Sequence, residues 1–229
     1  MKVEVHADAA AVAQAAASIV AVEARAAVAA RGRFVLAVSG GRTPQLMLRA
    51  LVAEDVPWRA TYVVQVDEWL APAGDPALNV TLVRDSLCRA PLPPEQIIAM
   101  PVQQAAATSQ YAQALRELAG TPPVLDLVHL GLGSDGHTAA LIPGDPVMDV
   151  TDRDVAIGGV YYGRRRMTLT YSALDRARRR LWLVTGSDKT QMLARLRDGD
   201  RSIPAGRVCQ DHALVLADRM AAGERGPRY

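Results

Sequence analysis

At 229 residues, half of them apolar, the chain is long enough to bury one substantial core. Its 26 basic and 24 acidic residues leave a formal charge of +2, which supplies no general field for nucleic acid or a membrane surface, so any anion site must be local. Two cysteines, Cys88 and Cys209, lie outside any metal-ligand spacing and read as reduced thiols in a cytoplasmic protein.

Residues 3–5 form a short strand. Asp8 is placed to cap an alanine-rich helix that runs to Arg31 and ends at Gly32. Gln14, Ser18, Glu23 and Arg25 interrupt that helix, and Val3-Glu-Val-His6 rather than a basic segment precedes it, so it reads neither as a membrane span nor as a signal peptide. A buried strand over residues 33–38 enters Ser39-Gly-Gly-Arg-Thr-Pro44, with Pro44 opening a helix over 45–53. The same logic repeats in a strand over 61–66 ending on Asp67-Glu68, a loop over 71–77, and a helix capped by Asn79 that reaches Leu87. A short strand over 96–99, an amphipathic helix over 103–119 and a central strand over 125–130 follow. Beyond it come a weak strand over 155–158, a strand over 167–170 and a helix over 172–178. A strand over 181–185, Gly186-Ser-Asp-Lys189 and a helix to Arg197 lead into a tail with apolar runs at 207–209 and 213–216 and a short helix. With no repeat or linker, residues 1–222 are expected to form a single domain and 223–229 a frayed end. The alternation predicts an α/β fold, a mainly parallel sheet with helices on both faces.

Ligands of such sheets bind at the carboxyl ends of the strands, and each strand end here carries chemistry. The richest is Gly131-Leu-Gly-Ser-Asp-Gly-His137. Its glycines match G-x-G-x-x-G, but Asp135 inside the loop would repel a diphosphate and Pro143 stops any long helix, so no dinucleotide cofactor is expected. The glycines instead let the backbone turn close to a ligand, with Asp135 and His137 facing it. Ser39, Gly40, Gly41 and Thr43 offer N–H groups, hydroxyls and a helix start to one phosphate, or form an ordinary tight turn. Lys189 could reach the same phosphate or sit at the surface. One arginine of 164–166 is expected to meet an anion, whereas 178–180 reads as a charge cluster at a helix end. Asp67 and Glu68 suit sugar hydroxyls, proton transfer or a capped loop. No His, Cys, Asp or Glu cluster has metal-ligand spacing, so no metal is expected. Few aromatics accompany the arginines, which disfavours nucleic acid.

These strand-end motifs, in this order, resemble the 6-phosphogluconolactonase family, which shares its sugar-phosphate isomerase type of Rossmann-like fold with glucosamine-6-phosphate deaminases. The resemblance spans most of the chain: Ser39-Gly-Gly-Arg-Thr-Pro44, Asp67-Glu68, Asn79, residues 131–144, Arg166-Met-Thr-Leu-Thr170 and Thr185-Gly-Ser-Asp-Lys189. Deaminases carry an acid shortly after the histidine, where this chain reads Thr-Ala-Ala-Leu-Ile-Pro. The resemblance therefore implies an ester hydrolase acting on 6-phospho-D-glucono-1,5-lactone, with no cofactor. It implies His137 as general base and acid, and Asp135 as its orienting partner or a hydroxyl ligand. Backbone N–H groups of the loop containing Gly131 and Gly133 become oxyanion donors, and Ser39, Gly40, Gly41, Thr43, Arg166 and Lys189 hold phosphate. The chain would act as a monomer or small homo-oligomer. The family usually reads Asp-Glu-Arg where this chain has Asp67-Glu-Trp69, a change for which Arg42, Arg164 or Arg165 could compensate. A sugar-phosphate isomerase or deaminase on the same fold, and a non-catalytic sugar-phosphate-binding module, are the alternatives.

Overall fold

A computed structural model describes residues 1–224. Seven parallel strands form the main sheet: β1 (Lys2–His6), β2 (Phe34–Val38), β3 (Thr61–Gln65), β5 (Ile97–Ile98), β6 (Leu127–Gly131), β9 (Arg179–Val184) and β10 (Ala213–Asp218). Their spatial order is β1-β10-β9-β6-β2-β3-β5. From β2 the chain steps outward through β3 to β5, then returns to the other flank of β2 with β6, β9 and β10. The order thus reverses between β2 and β6, and a crevice opens at their carboxyl ends.

Among the described residues seven α-helices connect the strands: α1 (Ala9–Arg31), α2 (Arg42–Leu51), α3 (Asn79–Leu87), α4 (Ala107–Ala119), α5 (Tyr171–Asp175), α6 (Thr190–Arg197) and α7 (Pro204–Arg207). Side-chain alternation along β2 divides the core. Phe34, Leu36 and Val38 pack beneath α1, α2 and α3, whereas Val35 and Ala37 face the layer holding α4, α5 and α6. The caps of α1 follow local chemistry, with Asp8 accepting from the Ala11 N–H at 2.9 Å and Gly32 in the left-handed region at φ 76°. By length and composition α1 could cross a membrane, but Val12, Ala16, Val20 and Ala24 are fully buried within the fold, marking a core helix.

The sequence predicts one sheet, and the structure has two. Strand β4 (Asp67–Trp69) leaves the main sheet after Val66 and pairs antiparallel with β8 (Arg164–Leu169), which pairs in turn with β7 (Val155–Tyr161). The Asp67-Glu68 pair therefore lies within a strand rather than in a loop, and so do the arginines at 164–166. Tyr162 and Gly163, at φ 49° and 77°, close the β7–β8 hairpin in two residues. This small sheet forms one wall of the crevice.

Other departures are local. Helix α2 begins at Arg42, two residues before Pro44. Asn79 does not cap α3; the Glu68 carboxylate does, accepting from the N–H groups of Asn79 and Val80 at 2.8 Å each. In place of a helix-end cluster, Arg179 and Arg180 open β9, and buried Arg180 donates to the Leu174, Asp175 and Ala177 carbonyls at the end of α5. Turns follow β10 where a short helix is predicted, Gly223 and Glu224 hydrogen-bond back to Met220 and Arg219, and the rest of the expected frayed end, 225–229, lies outside the described residues.

Candidate active site

The crevice between β2 and β6 widens into a cleft of about 330 Å³. Ser39, Gly40, Gly41, Asp67, Gly131, Gly133, His137, Arg166 and Lys189 all line it, together with Asn79, Trp69, Leu132 and Ala139. Thr43 lies on an adjoining hollow of about 590 Å³ that shares Gly40, Gly41, Gly131, Leu132 and Lys189 with the cleft. Its hydroxyl is 2.8 Å from that of Thr185.

His137 stands on the loop that leaves β6. Its Nδ1 lies 2.6 Å from Asp135 Oδ1, and its backbone N–H donates to the same oxygen at 3.1 Å. With Nδ1–H directed to a carboxylate, the Nε2 lone pair is left available to a ligand. The close loop depends on Gly133, where a Cβ would stand 2.1 Å from His137 Nδ1. Partial burial opposes ionisation of Asp135, but hydrogen bonds from the His137 N–H, the imidazole and the Tyr161 hydroxyl hold its carboxyl below the usual range. Asp135 thus stays ionised wherever an imidazole titrates. The loop's own amides are less free than the sequence implies. Gly133 N–H donates to the His137 carbonyl and Gly136 N–H to the Gly133 carbonyl, which removes both from the expected oxyanion donors.

Facing the loop, Arg166 projects from β8 and is only 8% exposed. One nitrogen, Nη1, donates to Asp67 Oδ2 at 3.2 Å, while Nε and Nη2 are buried without a partner among the described residues. Two buried unpaired donors beside a cleft fit an anionic ligand. Burial drives the Asp67 carboxyl above its ordinary range, and Arg166 and His137 pull it back. The guanidinium is stacked on aromatic rings, 4.7 Å from the Trp69 centroid and 5.4 Å from that of Tyr161. Trp69 therefore supports the arginine that remains. Of the three compensating arginines considered, Arg164 pairs with Asp75 and Arg165 donates to the Gly158 carbonyl, while Arg42 lines the adjoining hollow.

At the opposite end, Gly40 and Gly41 line both hollows just ahead of α2, and the first N–H groups of a helix have no intrahelical partners. Gly40 is needed because a Cβ there would meet Asn79 Oδ1 at 1.9 Å. Asn79 in turn donates to the Asp67 carbonyl, bracing the glycine loop against β4. Lys189 lies 3.0 Å from the exposed carboxylate of Asp188. Behind the loop, the Ser39 hydroxyl donates to the His129 carbonyl, and burial depresses the His129 imidazole to about 3, making it a neutral structural group. No cluster of three or more His, Cys, Asp or Glu residues suited to a metal ion occurs among the described residues.

Glu68 does not reach the cleft. It is fully buried, and its oxygens accept from Gln65 Nε2 and from the N–H groups of Trp69, Asn79 and Val80. These bonds leave no lone pair directed at a substrate. Glu68→Gln would turn an amide N–H₂ toward two of these donors, at a cost of about 1–3 kcal/mol for each left unpaired. The expected result is a Tm lower by about 2–4 °C per kcal/mol, with KM for any cleft ligand unchanged. Calorimetry and steady-state kinetics check this, and a raised KM at constant Tm would return Glu68 to the ligand.

The protein-family model described as glucosamine-6-phosphate isomerases/6-phosphogluconolactonase matches residues 7–216. A 6-phosphogluconolactonase of Nostoc sp. is 34% identical over 174 residues, covering 72% of this chain and 72% of that one. One from Streptomyces coelicolor is 32% identical over 221 residues, covering 86% and 84%. Among solved structures, 6-phosphogluconolactonase from Trypanosoma cruzi superposes with a TM-score of 0.87 at 25% identity, over 99% of this chain and 97% of that one.

Proposed function

Because the chain belongs to the glucosamine-6-phosphate isomerase/6-phosphogluconolactonase family, we propose that it hydrolyses 6-phospho-D-glucono-1,5-lactone to 6-phospho-D-gluconate, the second step of the oxidative pentose phosphate pathway. The observation that carries this reading is His137 on the cleft wall, held by Asp135, in the same cleft as Arg166, two of whose nitrogens have no partner among the described residues.

The chemistry follows from that arrangement. His137 Nε2 takes a proton from water as its oxygen bonds to C1 of the lactone. Negative charge gathers on the former carbonyl oxygen. When the bond from C1 to the ring oxygen breaks, the imidazolium returns the proton to that oxygen, and the open-chain acid forms. Asp135 fixes the ring and stabilises the transient imidazolium. The phosphate is held by the α2 start with Gly40 and Gly41, by Thr43 and Lys189 beside it, and by Arg166, while both donors of Ser39 are taken by His129. Asp67 accepts from a sugar hydroxyl. No step requires a cofactor.

A deaminase would need an acid just past the histidine, but Thr138, Ala139, Ala140 and Leu141 are buried there and none can transfer a proton as a carboxyl does. The test generates the lactone in situ and couples the product to 6-phosphogluconate dehydrogenase at neutral pH, in parallel with ammonia release from glucosamine 6-phosphate. Lactone hydrolysis well above the spontaneous rate, with no ammonia, is expected. Ammonia release would favour the deaminase, and phosphosugar binding without turnover the binding module.

A further inference from the structure

Tyr161 ends β7 against two residues of the cleft wall, and three contacts converge on it. Its hydroxyl donates to Asp135 Oδ2 at 3.0 Å, the oxygen that His137 does not use. Its ring meets the His137 imidazole edge-on at 5.4 Å between centroids. The same ring lies 5.4 Å from the Arg166 guanidinium, which Trp69 flanks as well. Tyr161 thus touches both the proton-transfer pair and the anion-binding arginine.

The local backbone explains how it arrives there. A register shift between Ile157 and Val160 bends β7, and the Asp145 carboxylate secures the bend by accepting from the Gly159 N–H at 2.6 Å. A Cβ at Gly159 would stand 2.9 Å from Asp145 Oδ2, so the close approach depends on glycine. The two-residue turn at Tyr162-Gly163 then returns the chain into β8, three residues before Met167. The bend and the turn hold Tyr161 on the same face of the small sheet as Arg166.

We infer that Tyr161 is a positioning residue for the reaction, its hydroxyl locking Asp135 so that Asp135 aims His137 at the substrate, and its ring seating Arg166. A carboxylate anchored at one oxygen alone can rotate about its last side-chain bond; anchored at both, it cannot swing the imidazole away from the attacking water. Burial, Tyr162 and Asp135 all push the phenol upward, so the hydroxyl remains a donor throughout the working range. The inference rests on the lactonase reading for its kinetic part only.

Two variants separate the roles. Tyr161→Phe keeps the ring and removes the donor, and kcat for lactone hydrolysis is expected to fall about 3- to 10-fold with KM unchanged. Tyr161→Leu removes the ring too, and KM is then expected to rise about 2- to 5-fold, the worth of one cation–π face. A second readout needs no turnover: carboxyl-carbon NMR of Asp135, whose titration midpoint should move upward in Tyr161→Phe as a stabilising hydrogen bond is lost. A Tyr161→Phe protein with the wild-type kcat, or one whose Asp135 titration is unmoved, overturns the inference and leaves the ring a packing role. If the wild-type protein fails to hydrolyse the lactone, the functional proposal falls, while the Asp135 titration still decides whether the hydroxyl governs that carboxylate.

Discussion

Replacing His137 by alanine is expected to lower kcat for lactone hydrolysis by about 10²- to 10⁴-fold while leaving KM nearly unchanged. The split follows from where the imidazole acts. Its Nδ1 is committed to Asp135, so the group contributes through Nε2 alone, and Nε2 matters only as water attacks and the ring oxygen departs. Under the proposed mechanism, ground-state binding falls to other residues, the α2 start, Lys189 and Arg166. The variant should fold normally, since His137 is a partly exposed side chain at the cleft wall. Asp135→Asn supplies an independent check. The amide can donate to Nδ1, placing the proton on Nε2 and blocking its use as a base, so kcat should fall with KM again preserved. Rates must be read above spontaneous hydrolysis, by the coupled assay. A His137→Ala protein that keeps more than about a tenth of the wild-type kcat would place the base elsewhere, with Asp67 the next carboxylate in the cleft.

Most of what positions this site is local chemistry, and for that reason it was legible in the sequence. Asp8 and Gly32 bound α1 through side-chain and backbone rules that act within a few residues. The glycine loops at 39–41 and 131–136 follow apolar strands directly, so their place at the carboxyl edge follows from strand direction alone. The second sheet was not legible, because its pairing joins segments far apart in the chain: Asp67 opposite Thr168 and Trp69 opposite Arg166. Within an Arg-Arg-Arg run, nothing local marks Arg166 as buried; β8 is exposed at Arg164 and Arg165 and buried from Arg166 onward, where Trp69 and Tyr161 cover the guanidinium. Tyr161 itself fell in a stretch of glycines with weak strand character. Only Gly163 behind a short apolar run hinted at the turn, and Tyr162, a bulky residue at φ 49°, is not one that marks a tight hairpin. Asn79 misled for a different reason. It has the right residue type for a cap, but Glu68, eleven positions earlier, supplies both acceptors and releases the Asn79 side chain to brace Gly40.

Arg166→Met is expected to raise KM about 10- to 100-fold, the worth of a charge-assisted contact of about 1.5–3 kcal/mol to a substrate anion. The same change strands Asp67. With its guanidinium partner gone, a carboxylate only 3% exposed loses its counter-charge, and breaking such a buried pair costs about 3–5 kcal/mol of stability. A raised KM in the single variant could then reflect a loosened fold rather than a missing anion contact. The double variant Asp67→Asn with Arg166→Met distinguishes them, since a neutral amide in place of the carboxylate removes the unpaired charge. Its Tm should recover much of the loss, while KM stays at least as high as in the single variant because the anion still lacks its arginine. Calorimetry on both proteins, with kcat and KM from the coupled assay, checks each arm. Should KM return toward the wild-type value along with Tm, Arg166 acts through the stability of β4 and β8, and the phosphate is held by the α2 start and Lys189 without it.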